Sequence, residues 1–142
     1  MDRRTFLRSS CLGCGGLALG AGLLSLTSCN SLPVVRAEAA AGALHVPRSA
    51  FAQARLVLVR HAKLPFDLLV EQLASGDFRA VYLRCTHEDQ PLTATANALH
   101  CPSHGSRFAL DGAVLEGPAS KPLISFPVTP EGDMLLIRTS TH

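Results

Sequence analysis

The residues best suited to chemistry in this chain are Cys85-Thr86-His87 and Cys101-Pro102-Ser103-His104. Each set pairs a thiol with an imidazole closely enough for one tight loop to aim both at a shared point. Thiolate and imidazole are borderline-soft ligands that suit zinc or an iron–sulfur cluster far better than magnesium or calcium. Residues 88–100 separate the sets, so two loops must meet in space. Two chemistries are open to such a set. One is a single zinc held tetrahedrally by Cys2His2. The other is a two-iron cluster with two thiolates on one iron and two imidazoles on the other.

The elements that must position these loops read as β-strands. Leu56-Val57-Leu58-Val59 is an apolar, β-branched run, and residues 66–71 form a second candidate strand. Phe66, Leu69, Val70 and Leu73 would also fit one helix face, the weakest point of the reading. Ser75-Gly76-Asp77 is a turn signal. After it, Phe78, Ala80, Tyr82 and Arg84 alternate with Arg79, Val81 and Leu83, which predicts a hairpin running into Cys85. Residues 123–128 and 134–139 flank Pro130-Glu131-Gly132-Asp133, a second hairpin. Short strands with frequent turn signals predict an all-β, antiparallel sandwich or barrel-like domain. Tryptophan is absent, so Leu, Val, Ile and Phe must supply the core.

The N-terminus reads as an address. Met1 to Arg8 is short and basic, and Cys11 to Thr27 is apolar, the pattern of an export signal. Arg3-Arg4-Thr5-Phe6-Leu7 resembles a twin-arginine signal, which implies export of an already folded protein. Leu26-Thr27-Ser28-Cys29 resembles a lipobox, with Cys29 lipidated as the mature N-terminus. Cleavage at Ala37-Glu38-Ala39 and retention of the apolar stretch as an anchor are the alternatives. Cys11 and Cys14, although spaced Cys-x-x-Cys, read as small apolar residues of the signal. The expected organisation is therefore a signal, lipobox or anchor over 1–29, a linker over 30–42 and a metal-binding domain over 43–142. Removing Arg3, Arg4, Arg8 and Asp2 from the chain's 13 Lys/Arg and 11 Asp/Glu leaves ten of each. A neutral mature domain argues against nucleic acid as a partner, which needs a clustered basic face.

With the second set extended to Gly105-Ser106-Arg107-Phe108, followed by Gly117-Pro118-Ala119 and then Pro122-Leu123, the chain resembles the Rieske iron–sulfur family. The resemblance spans residues 43–139. It implies a Rieske-like sandwich with a small cluster-binding subdomain of two loops, and one 2Fe-2S cluster per chain held by Cys85, His87, Cys101 and His104. It also implies that Ser106 bonds a cluster sulfur and that the Pro118 loop covers the site. His87 and His104 are implied to lie near solvent. His45, His61, His100 and His142 fall outside the motif. The cysteines that form a loop disulfide in quinol-oxidising relatives are replaced here by Gln90 and Ser103. The family's sulfur-bonding tyrosine stands as Phe108. With that donor missing and Glu88 and Asp89 adding negative charge beside the first loop, the expected midpoint lies below the top of the Rieske range of about −150 to +300 mV.

The implied function is one-electron transfer by an exported, membrane-anchored bacterial protein on the periplasmic side. Its partner would be a cytochrome, a quinol-oxidising complex or a molybdenum oxidase. Membrane contact would come through lipid on Cys29 or an N-terminal anchor. Two other classes compete: a ferredoxin-type component of an oxygenase system, and a non-redox zinc-binding module. No Ser/His/Asp arrangement, phosphate loop or dinucleotide fingerprint is visible, so no catalytic residue is assigned and turnover by the isolated chain is not expected.

Overall fold

The computed structural model describes residues 31–139. The signal, lipobox and Cys-x-x-Cys readings, and His142, lie outside the described residues. Strands β1 (Val34–Arg36), β2 (Glu38–Ala40), β3 (Ala43–Pro47), β4 (Leu56–Arg60), β5 (Leu68–Gln72) and β6 (Phe78–Tyr82) come first. Four short strands follow: β7 (Thr93–Ala94), β8 (Leu99–His100), β9 (Arg107–Phe108) and β10 (Val114–Glu116). Then come β11 (Ser125–Phe126), β12 (Val128–Glu131) and β13 (Met134–Ile137). A 3-10 turn at Arg48–Phe51 is the only helical element among the described residues.

Three sheets result. Two of them, in the orders β1-β4-β5-β6-β11 and β12-β13-β3-β2, make the sandwich. The third, β10-β9-β8-β7, is a separate small subdomain. The architecture is the expected all-β sandwich, with one parallel pair, β1 with β4.

The middle strands of the first sheet are buried on both faces, because a core lies on each side. Val57, Val59, Leu68, Val70, Ala80 and Tyr82 join the core shared with the second sheet. Leu56, Leu69, Val81 and Leu83 join the core shared with the small subdomain. This explains why the run at 56–59 is continuously apolar: a strand covered on both faces has no solvent side for polar residues to occupy. It also settles the 66–73 segment as strand, over Leu68–Gln72. Leu68 to Gln72 pair in antiparallel register with Tyr82 to Phe78, which a helix would forbid. The predicted turn closes this hairpin. Leu73 N–H donates to the Asp77 carbonyl at 2.8 Å, and Gly76 adopts φ +91°, where a Cβ would be strained.

One expectation needs correction. Residues 34–40, expected within a linker, are folded into the sandwich. β1 pairs with β4, β2 pairs with β3, and Ala37 is buried in the core with its N–H donating to the Arg60 carbonyl at 2.9 Å. Strands three residues long carry too little alternation to register as a pattern. Their strand state is decided by the partners that pair with them.

The two cores are also fastened by charge. Glu71 on β5 is buried, and the Arg55 guanidinium donates to its carboxylate at 2.5 Å. Arg55 also donates to the Ala96 carbonyl, in the β7–β8 turn of the small subdomain, at 3.3 Å. Arg79 lies 3.7 Å from the other carboxylate oxygen of Glu71. Arg55→Ala should therefore cost about 2 kcal/mol in chemical unfolding, because a buried carboxylate loses its short partner, while the reserve of Arg79 and the exposure of Arg55 keep the loss moderate. Arg55→Lys should recover part of it. A variant as stable as the parent would show that the fastening carries no weight.

Candidate metal centre

The first loop is an extension of β6. Leu92 N–H donates to the Leu83 carbonyl at 3.1 Å and Cys85 N–H to the Gln90 carbonyl at 2.9 Å, which leaves residues 86–89 as the loop tip. Arg84 braces the loop by donating to the Asp89 carboxylate at 2.7 Å. The second loop caps the β8–β9 hairpin. Cys101 N–H donates to the Ser106 carbonyl at 2.8 Å and Gly105 N–H to the Cys101 carbonyl at 3.0 Å. Gly105 takes φ +80°, the left-handed conformation this turn requires. A third segment, residues 117–121, lies over both. Ala119 N–H donates to the Ser106 hydroxyl at 3.0 Å, and the Thr86 hydroxyl donates to the Lys121 carbonyl at 2.6 Å.

The four singled-out side chains come together at this end of the molecule, divided by environment. Both cysteines are free thiols and buried, Cys85 at 1% exposure and Cys101 at 3%, in one cluster with Phe108, Ala119 and Leu123. His87 and His104 are exposed, and their rings stand perpendicular with centroids 5.1 Å apart. The residues anticipated as a thiol pair and an imidazole pair are thus an inner pair and an outer pair.

The protein readies Cys85, one of the inner pair, for the charged form. Burial alone would raise the Cys85 pKa. The backbone N–H groups of His87 and Glu88, with the side chains of Cys101 and Ser106, outweigh it and hold this thiol below the ordinary range. Ser106 is fully buried, its oxygen accepts from Ala119, and its side chain is among the groups that lower the Cys85 pKa. Phe108, also fully buried, presents no hydroxyl to the thiols.

Sequence reading treated Glu88 and Asp89 alike, and the structure separates them. Asp89 is tied to Arg84. Glu88 has its carboxylate 3.7 Å from His104 Nδ1, and His87, Glu88 and His104 have ligand atoms within 4.8 Å of one another. No such group among the described residues includes either thiol. That geometry is unsuited to a single tetrahedral ion touching all four residues at about 2.0–2.3 Å. It suits a group with separate thiolate and imidazole ends. His100, next to Cys101, is placed elsewhere: it sits in β8, in register with Thr93 and Arg107. His45 lies in β3 and His61 follows β4, both away from the loops.

The Rieske [2Fe-2S] domain family model matches residues 37–127. Among curated proteins, cytochrome b6-f complex iron-sulfur subunit 3 of Nostoc sp. (strain PCC 7120) is 33% identical over 92 residues, 63% of this chain and 52% of that subunit. The chain thus spans about half the length of that relative, and less of the others it matches. Among solved structures, the quaternary ammonium Rieske monooxygenase CntA with L-carnitine shares 18% identity at a TM-score of 0.54, covering 66% of this chain and 30% of that one. A chain from the complex of reduced oxygenase and oxidised ferredoxin in carbazole 1,9a-dioxygenase shares 20% identity at a TM-score of 0.51, covering 69% and 95%. At these identities the structural likeness shows the fold.

Proposed function

From the premise that this chain belongs to the Rieske [2Fe-2S] domain family, we propose that Cys85, His87, Cys101 and His104 hold its cluster and that an exported, membrane-anchored protein uses it to pass single electrons to or from a membrane redox complex. Membership makes the protein a Rieske electron carrier and implies a Rieske-type 2Fe-2S cluster, which supplies a one-electron couple. The zinc-module reading gives way to that membership. The observation that carries the ligand assignment is the division of the site: two buried thiols side by side, and two exposed imidazoles at the tip.

Each residue then has a definable task. Cys85 and Cys101 supply negative charge inside a dry core, and at Cys85 the His87 and Glu88 backbone N–H groups already favour thiolate. His87 and His104 are the exposed edge, and so the side at which a partner comes within electron-transfer reach. Ser106 ties the second loop to the covering segment through Ala119. Arg84 and Thr86 hold the first loop against Asp89 and Lys121. Protein purified from iron-replete cells should be coloured and give a Rieske-type paramagnetic spectrum on reduction; a colourless, iron-free product would sink the assignment.

Export and anchoring rest on the sequence before residue 31, with one supporting observation from the fold. Cleavage at Ala37-Glu38-Ala39 would remove β1 and the buried Ala37, whereas a mature N-terminus at Cys29 keeps both. A partner in a membrane redox complex is supported by the likeness to a cytochrome b6-f iron-sulfur subunit. The second reading, a ferredoxin-type component of an oxygenase system, is favoured by Gln90 and Ser103 standing where disulfide-forming cysteines stand in quinol-oxidising relatives. Cell fractionation separates the two, since the first requires the protein at the membrane outside the cytoplasm.

The unequal surroundings of Glu88 and Asp89 give a further expectation. Glu88→Gln should raise the midpoint by about 20–40 mV at low salt, because it removes an unneutralised charge beside His104, and less as salt screens it. Asp89→Asn should move it less, since Arg84 already offsets that charge. Protein-film voltammetry of both variants reads the difference; a larger shift for Asp89→Asn would contradict the structure.

A further inference from the structure

We propose that the groove at the start of the described chain is a bilayer-facing surface, so that the cluster subdomain lies against the membrane instead of standing away from it on a stalk. This rests on the reading of Cys29 as lipidated.

The groove, of about 400 Å³, opens at Ser31. Its walls are Leu32, Val34, Leu58, Leu83, Leu92 and Ala94. They come from three places in the fold: the N-terminal segment with β1, strand β4 and the extension just past β6, and the small subdomain. Leu32, Leu58 and Ala94 pack on the core that also contains Cys85 and Cys101. The chain is therefore pinned to the cluster subdomain from Leu32 onward, and the Leu58 N–H takes the Pro33 carbonyl at 2.9 Å just before β1 joins β4.

Tether length decides what can cover this surface. Only Asn30 separates Cys29 from Ser31. Two peptide steps span at most about 7 Å, so a lipid on Cys29 holds the mouth of the groove at the membrane surface. At that spacing the second contact is effectively intramolecular, so weak apolar burial suffices to orient the domain. The rim has the chemistry of an interface. Val34 is 50% exposed, a large apolar residue open to whatever faces it. Beyond the groove's lining, Arg36 lies two positions on along β1, on the same exposed side, in the neighbouring cavity with Glu38 and Arg60, and has no ion-pair partner among the described residues, which suits anionic headgroups. Asp67, the carboxylate in the groove, is held by Arg60 through bonds of 2.9 and 2.7 Å, so its charge is already offset.

The absence of tryptophan makes the test clean, since any single Trp reports alone. Full-length precursors carrying Val34→Trp, Thr93→Trp or Glu131→Trp would be matured in cells and the products placed in phosphatidylcholine–phosphatidylglycerol vesicles with brominated acyl chains. Glu131 lies on β12, an edge strand of the other sandwich sheet. The visible spectrum checks that each variant retains its fold, and Thr93→Trp stands in if Val34→Trp does not. Emission from the groove probes should fall about twofold or more, with Glu131→Trp unchanged. Intact mass of the mature protein settles the premise separately. Absence of lipid on Cys29 overturns both the anchoring reading and this inference. Lipid present, with the groove probes unquenched or all three quenched alike, overturns the inference and leaves the anchoring reading standing.

Discussion

Replacing His104 with alanine should abolish the cluster, cutting bound iron and visible absorbance at least about tenfold, since loss of even a supporting group around a metal ligand costs 10–100-fold in affinity. The expectation follows from where His104 sits. Its ring stands 5.1 Å from that of His87, at the tip of a loop closed by Cys101 and Ser106, and no other imidazole among the described residues shares that tip. His100 provides a demanding control. It is only four positions away, but β8 holds it in register with Thr93 and Arg107. His100→Ala should therefore leave the spectrum as it is. If His104→Ala retained a full cluster, or His100→Ala lost it, the ligand assignment would be wrong.

Ser106→Ala should lower the midpoint by about 60–130 mV, the equivalent of one hydrogen bond to a charged group worth about 1.5–3 kcal/mol. The sign follows from charge. Reduction adds an electron, and a donor aimed at sulfur stabilises the more negative state, so its loss favours the oxidised one. The same substitution should destabilise the fold by about 1–3 kcal/mol, because the Ala119 N–H, now donating at 3.0 Å to a fully buried hydroxyl, would be left without an acceptor. Two readouts moving together distinguish Ser106 from a residue that only packs. Ser103→Ala, at the exposed tip of the same loop, should move neither. Voltammetry and chemical unfolding read the pair. An unchanged midpoint with lost stability would reduce Ser106 to a structural role.

The small subdomain is a poor candidate for independent folding, which bears on how such variants should be studied. Its strands are two or three residues long, and its core is completed by Leu56, Leu69, Val81 and Leu83 from the sandwich. The thiols therefore owe their burial to a core that includes residues far away in sequence, such as Leu56, 45 positions before Cys101. A truncated loop peptide would lack that wall, so the full chain is the right material for every measurement above.

Much of the fold was legible because its signals are local. The alternation at 78–84 marked a strand, and the structure places Ala80 and Tyr82 in one core and Val81 and Leu83 in the other. Ser75-Gly76-Asp77 marked a turn, and the turn is there. The strands at 34–40 were not legible, since three residues contain barely one period and the pairing with β3 and β4 supplies what the local pattern lacks. Glu88 and Asp89 could not be told apart either. Two adjacent carboxylates read alike until Arg84 takes one of them and His104 faces the other.

By itself the sequence determined the candidate ligands: two thiols and two imidazoles in two Cys–His sets, with a glycine where the second loop must turn and a serine just beyond it. Residue type and short spacing carry that information because softness, turn geometry and loop size are local properties. Only the tertiary structure decided that the thiols are buried and the imidazoles exposed, that the buried Ser106 hydroxyl accepts from Ala119 in the covering segment, and that the chain is already pinned to the cluster subdomain at Leu32. Burial and bridging depend on which distant segments pack against a residue, and that is settled only when the whole chain folds.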